Sequence, residues 1–286
     1  MKSGRLFVWL QHVLPQHALS RLVLHATRVR APWFKNWLVR GFLKLYTVDM
    51  SEAVQTNPLS YASFNEFFTR ALQPHARPMA ADPGAIACPV DGTISQLGAI
   101  ERDQIVQAKG HHYSSTALVG GDHDLAARFH DGSFATLYLS PKDYHRIHMP
   151  CAGTLTRMIH VPGSLFSVNP VTARGVPGLF ARNESVVCVF DSAAVGPFVL
   201  VLVGATIVGS MATVWHGAVN APRGRRVREW RYPPGQVALK QGQEMGRFML
   251  GSTVVLLFGK EAGLRFNANW QPGRAIRLGE AMAEAH

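Results

Sequence analysis

Apolar residues recur at helical intervals through the first part of the chain and in short unbroken or alternating runs through the rest. Leu19, Leu22, Val23, Ala26 and Val29 form one stripe of a helix over residues 18–30, with Arg21, His25 and Arg28 elsewhere on the cylinder. Phe34, Trp37, Leu38, Gly41, Phe42 and Leu45 repeat the arrangement, with Lys35, Arg40 and Lys44 supplying charge. Ser63-Phe64-Asn65-Glu66-Phe67-Phe68-Thr69-Arg70 predicts a short helix capped by Ser63, with Glu66 three residues on. Pro74, Pro78 and Pro83 then form a rigid connector, which divides a helical extension over 1–72 from a main domain over 73–286. Beyond it, Thr93–Leu97, Phe134–Leu139, Ser185–Phe190, Phe198–Val203 and Thr253–Phe258 read as strands between turn residues, and helical spacing is confined to residues 115–128. The expected fold class is α+β, a β-rich domain with an N-terminal helical extension.

Composition sharpens this picture at two points. A chain of 286 residues with 47% apolar content has enough material for a sizeable core. The three cysteines are odd in number and widely spaced, which suggests neither a disulfide framework nor a cysteine zinc cage and fits a reducing compartment. The longest apolar stretch, Phe198 to Trp215, approaches the ~20 residues of a spanning helix. Its Val, Ile and Thr content and the interruptions at Gly204, Gly209 and Ser210 read better as two buried strands and a turn.

The formal charge of +11 is uneven, because residues 1–48 hold eight Lys or Arg and no acid. Gln11, His12 and Pro15 interrupt the early apolar residues, so a secretory signal is not predicted. Basic amphipathic helices with Trp33 and Trp37 at their edge suit a membrane surface, where each cation near an anionic leaflet is worth about 1 kcal/mol. The same pattern also fits helices packed on their own domain, or an organelle transit peptide. Arg223, Arg225, Arg226, Arg228 and Arg231 form a second basic run, read as a solvated loop or a lipid-phosphate contact. The chain carries no nucleotide or dinucleotide fingerprint, and no nucleic-acid partner is expected.

Candidate chemistry centres on Met249-Leu250-Gly251-Ser252-Thr253. Gly251 has no side chain to obstruct approach of the Ser252 hydroxyl to its own carbonyl, so the backbone could cut itself there; a turn before a strand explains the same pair blandly. Tyr144-His145-Arg146-Ile147-His148-Met149-Pro150 supplies two imidazoles, the usual bases near neutral pH, and Pro89-Val90-Asp91-Gly92 supplies a carboxylate able to orient one of them. Asp91, His145 and His148 could instead serve as zinc ligands in a hydrolase, although the His-Glu-x-x-His helix is missing. A membrane-binding module without enzymatic activity is the third reading.

Taken together these words resemble the phosphatidylserine decarboxylase family. The resemblance rests on Phe67-Phe68-Thr69-Arg70, Pro89-Val90-Asp91-Gly92, Gln107-Ala108-Lys109-Gly110, Leu139-Ser140-Pro141 with Asp143 to Pro150, Val161-Pro162-Gly163 with Leu165 to Asn169, Gly242 to Phe248, and Leu250-Gly251-Ser252-Thr253. It implies a β-rich catalytic domain with a membrane-associating extension. It further implies self-cleavage between Gly251 and Ser252, with His148, held by Asp91, taking the Ser252 proton. Ser252 then becomes a pyruvoyl group, without pyridoxal phosphate or metal, and that group forms a Schiff base with phosphatidylserine and releases carbon dioxide to give phosphatidylethanolamine. His145 is implied for proton transfer during decarboxylation, and Phe166 and Ser167 for the headgroup pocket. The two cleavage chains are expected to stay associated, in a unit that can form a homodimer, peripheral to the cytoplasmic side of the cell membrane and bound to its anionic lipid.

Overall fold

Val254 to Phe258 is apolar on both alternating faces, and such a strand is stable only with a layer on each side. The structure, a computed structural model, supplies both layers. It describes residues 2–82, 84–108, 110–206, 210–219, 224–250 and 252–285, without the side chains of residues 2–7.

Three helices come first: α1 (Lys2–Val13), α2 (Gln16–Arg28) and α3 (Pro32–Leu45), followed by the short α4 (Phe64–Phe68). The strands that frame the site follow in chain order. They are β1 (Ala85–Ala87), β2 (Gly92–Ala99), β3 (Ser133–Leu139), β4 (Arg146–His148), β5 (Gly153–Val161) and β6 (Ser185–Ser192). Then come β7 (Gly196–Val203), β8 (Met211–Thr213), β9 (Arg228–Arg231), β10 (Glu244–Phe248), β11 (Ser252–Phe258) and β12 (Ala281–Glu284). The main antiparallel sheet runs β9-β5-β6-β7-β11-β3-β2 and ends on the short strand Ala275–Ile276. A second sheet joins β8, β10 and β4, and a third pairs β1 with β12.

β11 is interior to the main sheet and pairs with β3 on one edge and β7 on the other. Val255 and Leu257 join a core with Val39 and the α4 phenylalanines, while Val254, Leu256 and Phe258 join another with Ile147, Met245 and Phe248. The helices thus cover one face of the sheet and the smaller sheets cover the other. Phe42 of α3 meets Phe64, Phe67 and Phe68 at ring-centroid distances of 5.4, 5.9 and 6.0 Å, which fastens the helical layer to α4.

The expected strands are all present, and the apolar stretch from Phe198 to Trp215 contributes to β7 and β8, in different sheets. Among the described residues no helix is long and apolar enough to cross a membrane. Ser63 caps α4 by accepting from Glu66 N–H, as expected. Three details differ from the sequence reading. The buried positions of α2 are Ser20 and Thr27, while Leu22 is 68% exposed, so part of its apolar stripe faces away from the protein. Lys35, expected as surface charge, is buried because its ammonium donates to the carbonyls of Leu59 at 2.6 Å and Tyr61 at 2.8 Å. Two single-turn helices, Pro170–Ala173 and Leu179–Arg182, occupy a stretch with no helical periodicity.

Candidate active site

Ser252 opens β11 opposite Leu139, the last residue of β3. It is 1% exposed, and its Oγ has no hydrogen-bond partner among the described residues. Gly251, the other half of the expected cleavage pair, lies outside the described residues. Just upstream, Met249 is held on both sides: its N–H donates to Ser210 O at 3.0 Å, and its carbonyl accepts from Asn65 Nδ2 at 2.6 Å. Ser252 borders a cavity of about 790 Å³ whose other walls include Phe68, Tyr138 and Ser167, and which extends to Trp37 and Leu45 on α3. A serine hydroxyl at the wall of an apolar cavity joins a reactive group to the helical layer.

Neither histidine lines this cavity: His145 lies behind its wall residue Phe68, and His148 meets Tyr144 and not the Ser252 hydroxyl, so the two are held differently. The turn between β3 and β4 is closed by Ser140 N–H donating to the Asp143 carboxylate at 2.7 Å. The Asp143 carbonyl then accepts from His145 Nδ1 at 2.8 Å, which fixes the tautomer and leaves Nε2 as the basic atom. His145 is fully buried, its ring centroid lies 4.1 Å from that of Phe68, and its Nε2 has no partner among the described residues. Burial pushes its pKa down to about 3, with nearby Arg70 adding to the effect, so this imidazole is neutral at physiological pH.

His148 ends β4, and its backbone N–H donates to Pro89 O at 2.9 Å, which ties it to the Asp91 turn. Its Nδ1 donates to Gly242 O at 2.8 Å, and Tyr144 OH sits 3.1 Å from Nε2. Burial lowers its pKa too, opposed by the Gly242 bond and by the charges of Glu244 and Asp91.

Asp91 does not hydrogen-bond to His148. Its carboxylate accepts from Arg77 Nε at 2.9 Å, from Arg77 Nη2 at 2.6 Å and from Leu278 N–H at 2.9 Å, and Arg77 also reaches Glu52 at 2.7 Å. The expectation that Asp91 steadies His148 by contact is therefore corrected: the Gly242 carbonyl holds the imidazole, and Asp91 acts on it through charge alone. The physical reason is that a guanidinium fork satisfies a carboxylate bidentately, which a single imidazole N–H cannot match. Gly92 is required beside it, because a Cβ there would lie 2.4 Å from Tyr138 O.

Ser167 lines the cavity as expected, whereas Phe166 packs inward, between His12 at 4.8 Å and the Arg182 guanidinium at 5.4 Å. Asp91, His145 and His148 do not form a zinc trio: among the described residues no group of three or more His, Cys, Asp or Glu could hold a metal ion. Arg77 and Tyr144 escaped the sequence reading. Arg77 sits in the proline connector, and its place beside Pro78 is the one mark it leaves on the sequence.

Long-range bonds explain why the separate sequence words belong together. Arg146 Nε donates to Thr69 O at 3.0 Å and its Nη1 reaches Glu244 at 2.9 Å, which connects the segments around residues 67–70, 143–150 and 242–248.

A family model described as phosphatidylserine decarboxylase matches residues 64–284, and one described as PSD matches residues 6–47. The chain is 66% identical over 285 residues to a phosphatidylserine decarboxylase proenzyme of Polaromonas naphthalenivorans, with 99% of this chain and 97% of that one covered. It is 65% identical over 283 residues to the proenzyme of the same description from Methylibium petroleiphilum, with 99% of each covered. The corresponding proenzyme of an Azoarcus species is 65% identical over 283 residues, covering 99% of this chain and 96% of that one.

Proposed function

The chain belongs to the phosphatidylserine decarboxylase family, and from that membership we propose that it is a proenzyme that cuts itself between Gly251 and Ser252 and then converts phosphatidylserine to phosphatidylethanolamine and carbon dioxide. The observation that carries this reading is the Ser252 hydroxyl, buried, unpartnered and set at the wall of a cavity that reaches the amphipathic helices.

In self-cleavage the base takes the Ser252 proton, Oγ bonds to the Gly251 carbonyl carbon, and the amide C–N bond gives way to an ester. Elimination then breaks the Ser252 Cβ–O bond and frees the Gly251 carboxylate. The dehydroalanine left behind tautomerises and loses ammonia to water, which leaves a pyruvoyl terminus. His148 is the proposed base: with Nδ1–H committed to Gly242, only Nε2 can accept, and Tyr144 OH marks that atom. Asp91 favours the imidazolium through charge. Ser252 Oγ is not hydrogen-bonded to His148, whose Nε2 faces Tyr144 OH, so the proposed cleavage requires a movement that brings this imidazole onto the hydroxyl.

A pyruvoyl group at position 252 would supply a ketone for the substrate amine and a carbonyl that draws off the electrons left by carbon dioxide. His145 would handle the proton at Nε2, bare and neutral beside Phe68. The largely apolar cavity would accept the lipid near its headgroup, with Ser167 on its wall. After the cut, residues 252–286 stay in place because β11 is paired on both edges and β12 pairs with β1. Five fully buried side chains, Val254 to Phe258, add about 1.5–3 kcal/mol apiece. We read the N-terminal helices as a peripheral attachment to the cytoplasmic leaflet of the cell membrane, through exposed Trp9, Trp33 and Leu45 and the surrounding cations.

Denaturing electrophoresis and intact mass test the proposal. Wild-type protein should appear as two chains meeting at Gly251/Ser252, the shorter one beginning with pyruvoyl, and should release carbon dioxide from phosphatidylserine. Ser252→Ala should remain one chain and release none. An active wild type that stays in one piece would refute the reading.

A further inference from the structure

The α1–α2 elbow is joined to the cavity wall by side-chain amides. Gln16 Oε1 accepts from the backbone N–H of Leu165 at 2.6 Å, and Gln11 Oε1 accepts from that of Ser167 at 2.7 Å. Between them, Phe166 N–H donates to Asn183 Oδ1 at 3.1 Å, while Asn183 Nδ2 donates back to Phe166 O at 2.8 Å. Three consecutive N–H groups of an irregular segment are therefore held by amide oxygens from elsewhere in the chain, in place of a strand ladder. The two glutamines also brace each other and the segment's far end. Gln16 Nε2 donates to Gln11 O at 2.7 Å, and Gln11 Nε2 donates to Thr172 Oγ1 at 3.3 Å. Gln11 is 4% exposed, so these bonds are shielded from water. Packing follows the same line, with the His12 ring 4.8 Å from Phe166 and the Val8 side chain so close to Gly175 that a Cβ there would lie 2.9 Å from it.

What the brace holds is the cavity wall. Ser167, Val168 and Asn169 border the same cavity as Ser252. We propose that Gln11 and Gln16 are positioning residues for decarboxylation, which hold the Ser167–Asn169 wall in its working place against Ser252 from the seated α1–α2 elbow. This inference rests on the function proposed above. The hydrogen bonds of the two glutamines described above run to the 165–172 segment and to each other, whereas Met249 ahead of the cleavage pair is held by Asn65 and Ser210, so self-cleavage is expected to proceed without the brace. Replacing a buried amide oxygen by a methyl group leaves a backbone N–H unpaired, and the wall is then free to move away from the geometry that turnover requires.

The full chain is compared as wild type, Gln11→Leu/Gln16→Leu, Gln11→Glu and Gln11→Asn. Self-cleavage is read on gels, binding by cosedimentation with phosphatidylserine/phosphatidylcholine vesicles, and turnover by carbon dioxide release from those vesicles at saturating lipid. The double Leu variant should be fully cleaved and sediment like wild type, with kcat lowered roughly tenfold. Gln11→Glu should retain turnover, because its carboxylate still accepts from Ser167 N–H, and Gln11→Asn, one methylene shorter, should not. That last pair carries the test if the Leu variant does not fold. Wild-type turnover in both the double Leu and Asn variants, or a fall that merely tracks lost vesicle binding, overturns the inference, as does equal impairment of the Glu and Asn variants. A wild type that itself releases no carbon dioxide defeats the proposed function instead.

Discussion

His145 and His148 stand three positions apart, yet two backbone carbonyls hold them in different surroundings. Asp143 O leaves His145 with a bare Nε2 in an apolar pocket, and Gly242 O leaves His148 with Nε2 against a tyrosine hydroxyl. Burial lowers both pKa values, His145 to about 3 from 6.5, so below pH ~6.5 the unfolded chain binds protons that the native state refuses. Stability is thus fully present above that point and is lost as pH falls toward 3. In an uncut Ser252→Ala background, the urea midpoint should fall between pH 7 and 4.5, and His145→Phe should make the slope shallower; parallel slopes would assign the acid sensitivity elsewhere. Arg77 yields a second expectation, since Arg77→Met strands the Asp91 carboxylate with little solvent around it. Loss of one partner of such a pair should cost about 3 kcal/mol and slow self-cleavage, measured by denaturant unfolding and by gel. The two histidines and Asp91 were legible in the sequence; Arg77 and the backbone partners were not. Gly242 O lies 94 residues from His148, and a backbone carbonyl leaves no mark on a sequence pattern.

At the scale of the element, β11 was legible from its unbroken apolar run, and β3, β6 and β7 from theirs, because strands covered on both faces leave such runs. The two single-turn helices at 170–173 and 179–182 were not, since four residues are too few to display a period. The turn before β2 depends on one close approach. Gly92→Ala would drive a Cβ into Tyr138 O, so that β2 must shift against β3 and carry Asp91 with it. A destabilisation of about 1–3 kcal/mol is expected, with cleavage slowed in proportion to the displacement, both readable from melting curves and time-resolved gels. Asn65→Ala should slow cleavage with a smaller stability change, because it releases the Met249 carbonyl from its donor.

At the scale of the whole molecule, the basic helical segment was legible, but not which side of it faces outward. Tertiary packing buries Ser20 and Thr27 and leaves Leu22, Trp33 and Leu45 exposed, while Val39 of α3 and the α4 phenylalanines enter the core beneath. Trp33→Ser with Leu22→Ser should weaken cosedimentation with anionic vesicles while leaving the melting temperature nearly unchanged; undiminished sedimentation would return these residues to a purely packing role. Removing residues 1–48 should abolish turnover as well as binding, because α3 supplies part of the cavity wall. The location of β11 also reaches beyond the finished enzyme. A strand wedged into the middle of an array enters it while still tethered; once severed, it can return only by chance encounter. Heating and cooling should therefore restore the uncleavable Ser252→Ala chain but leave the mature pair in separate pieces, a hysteresis that makes the first melting of the enzyme its last.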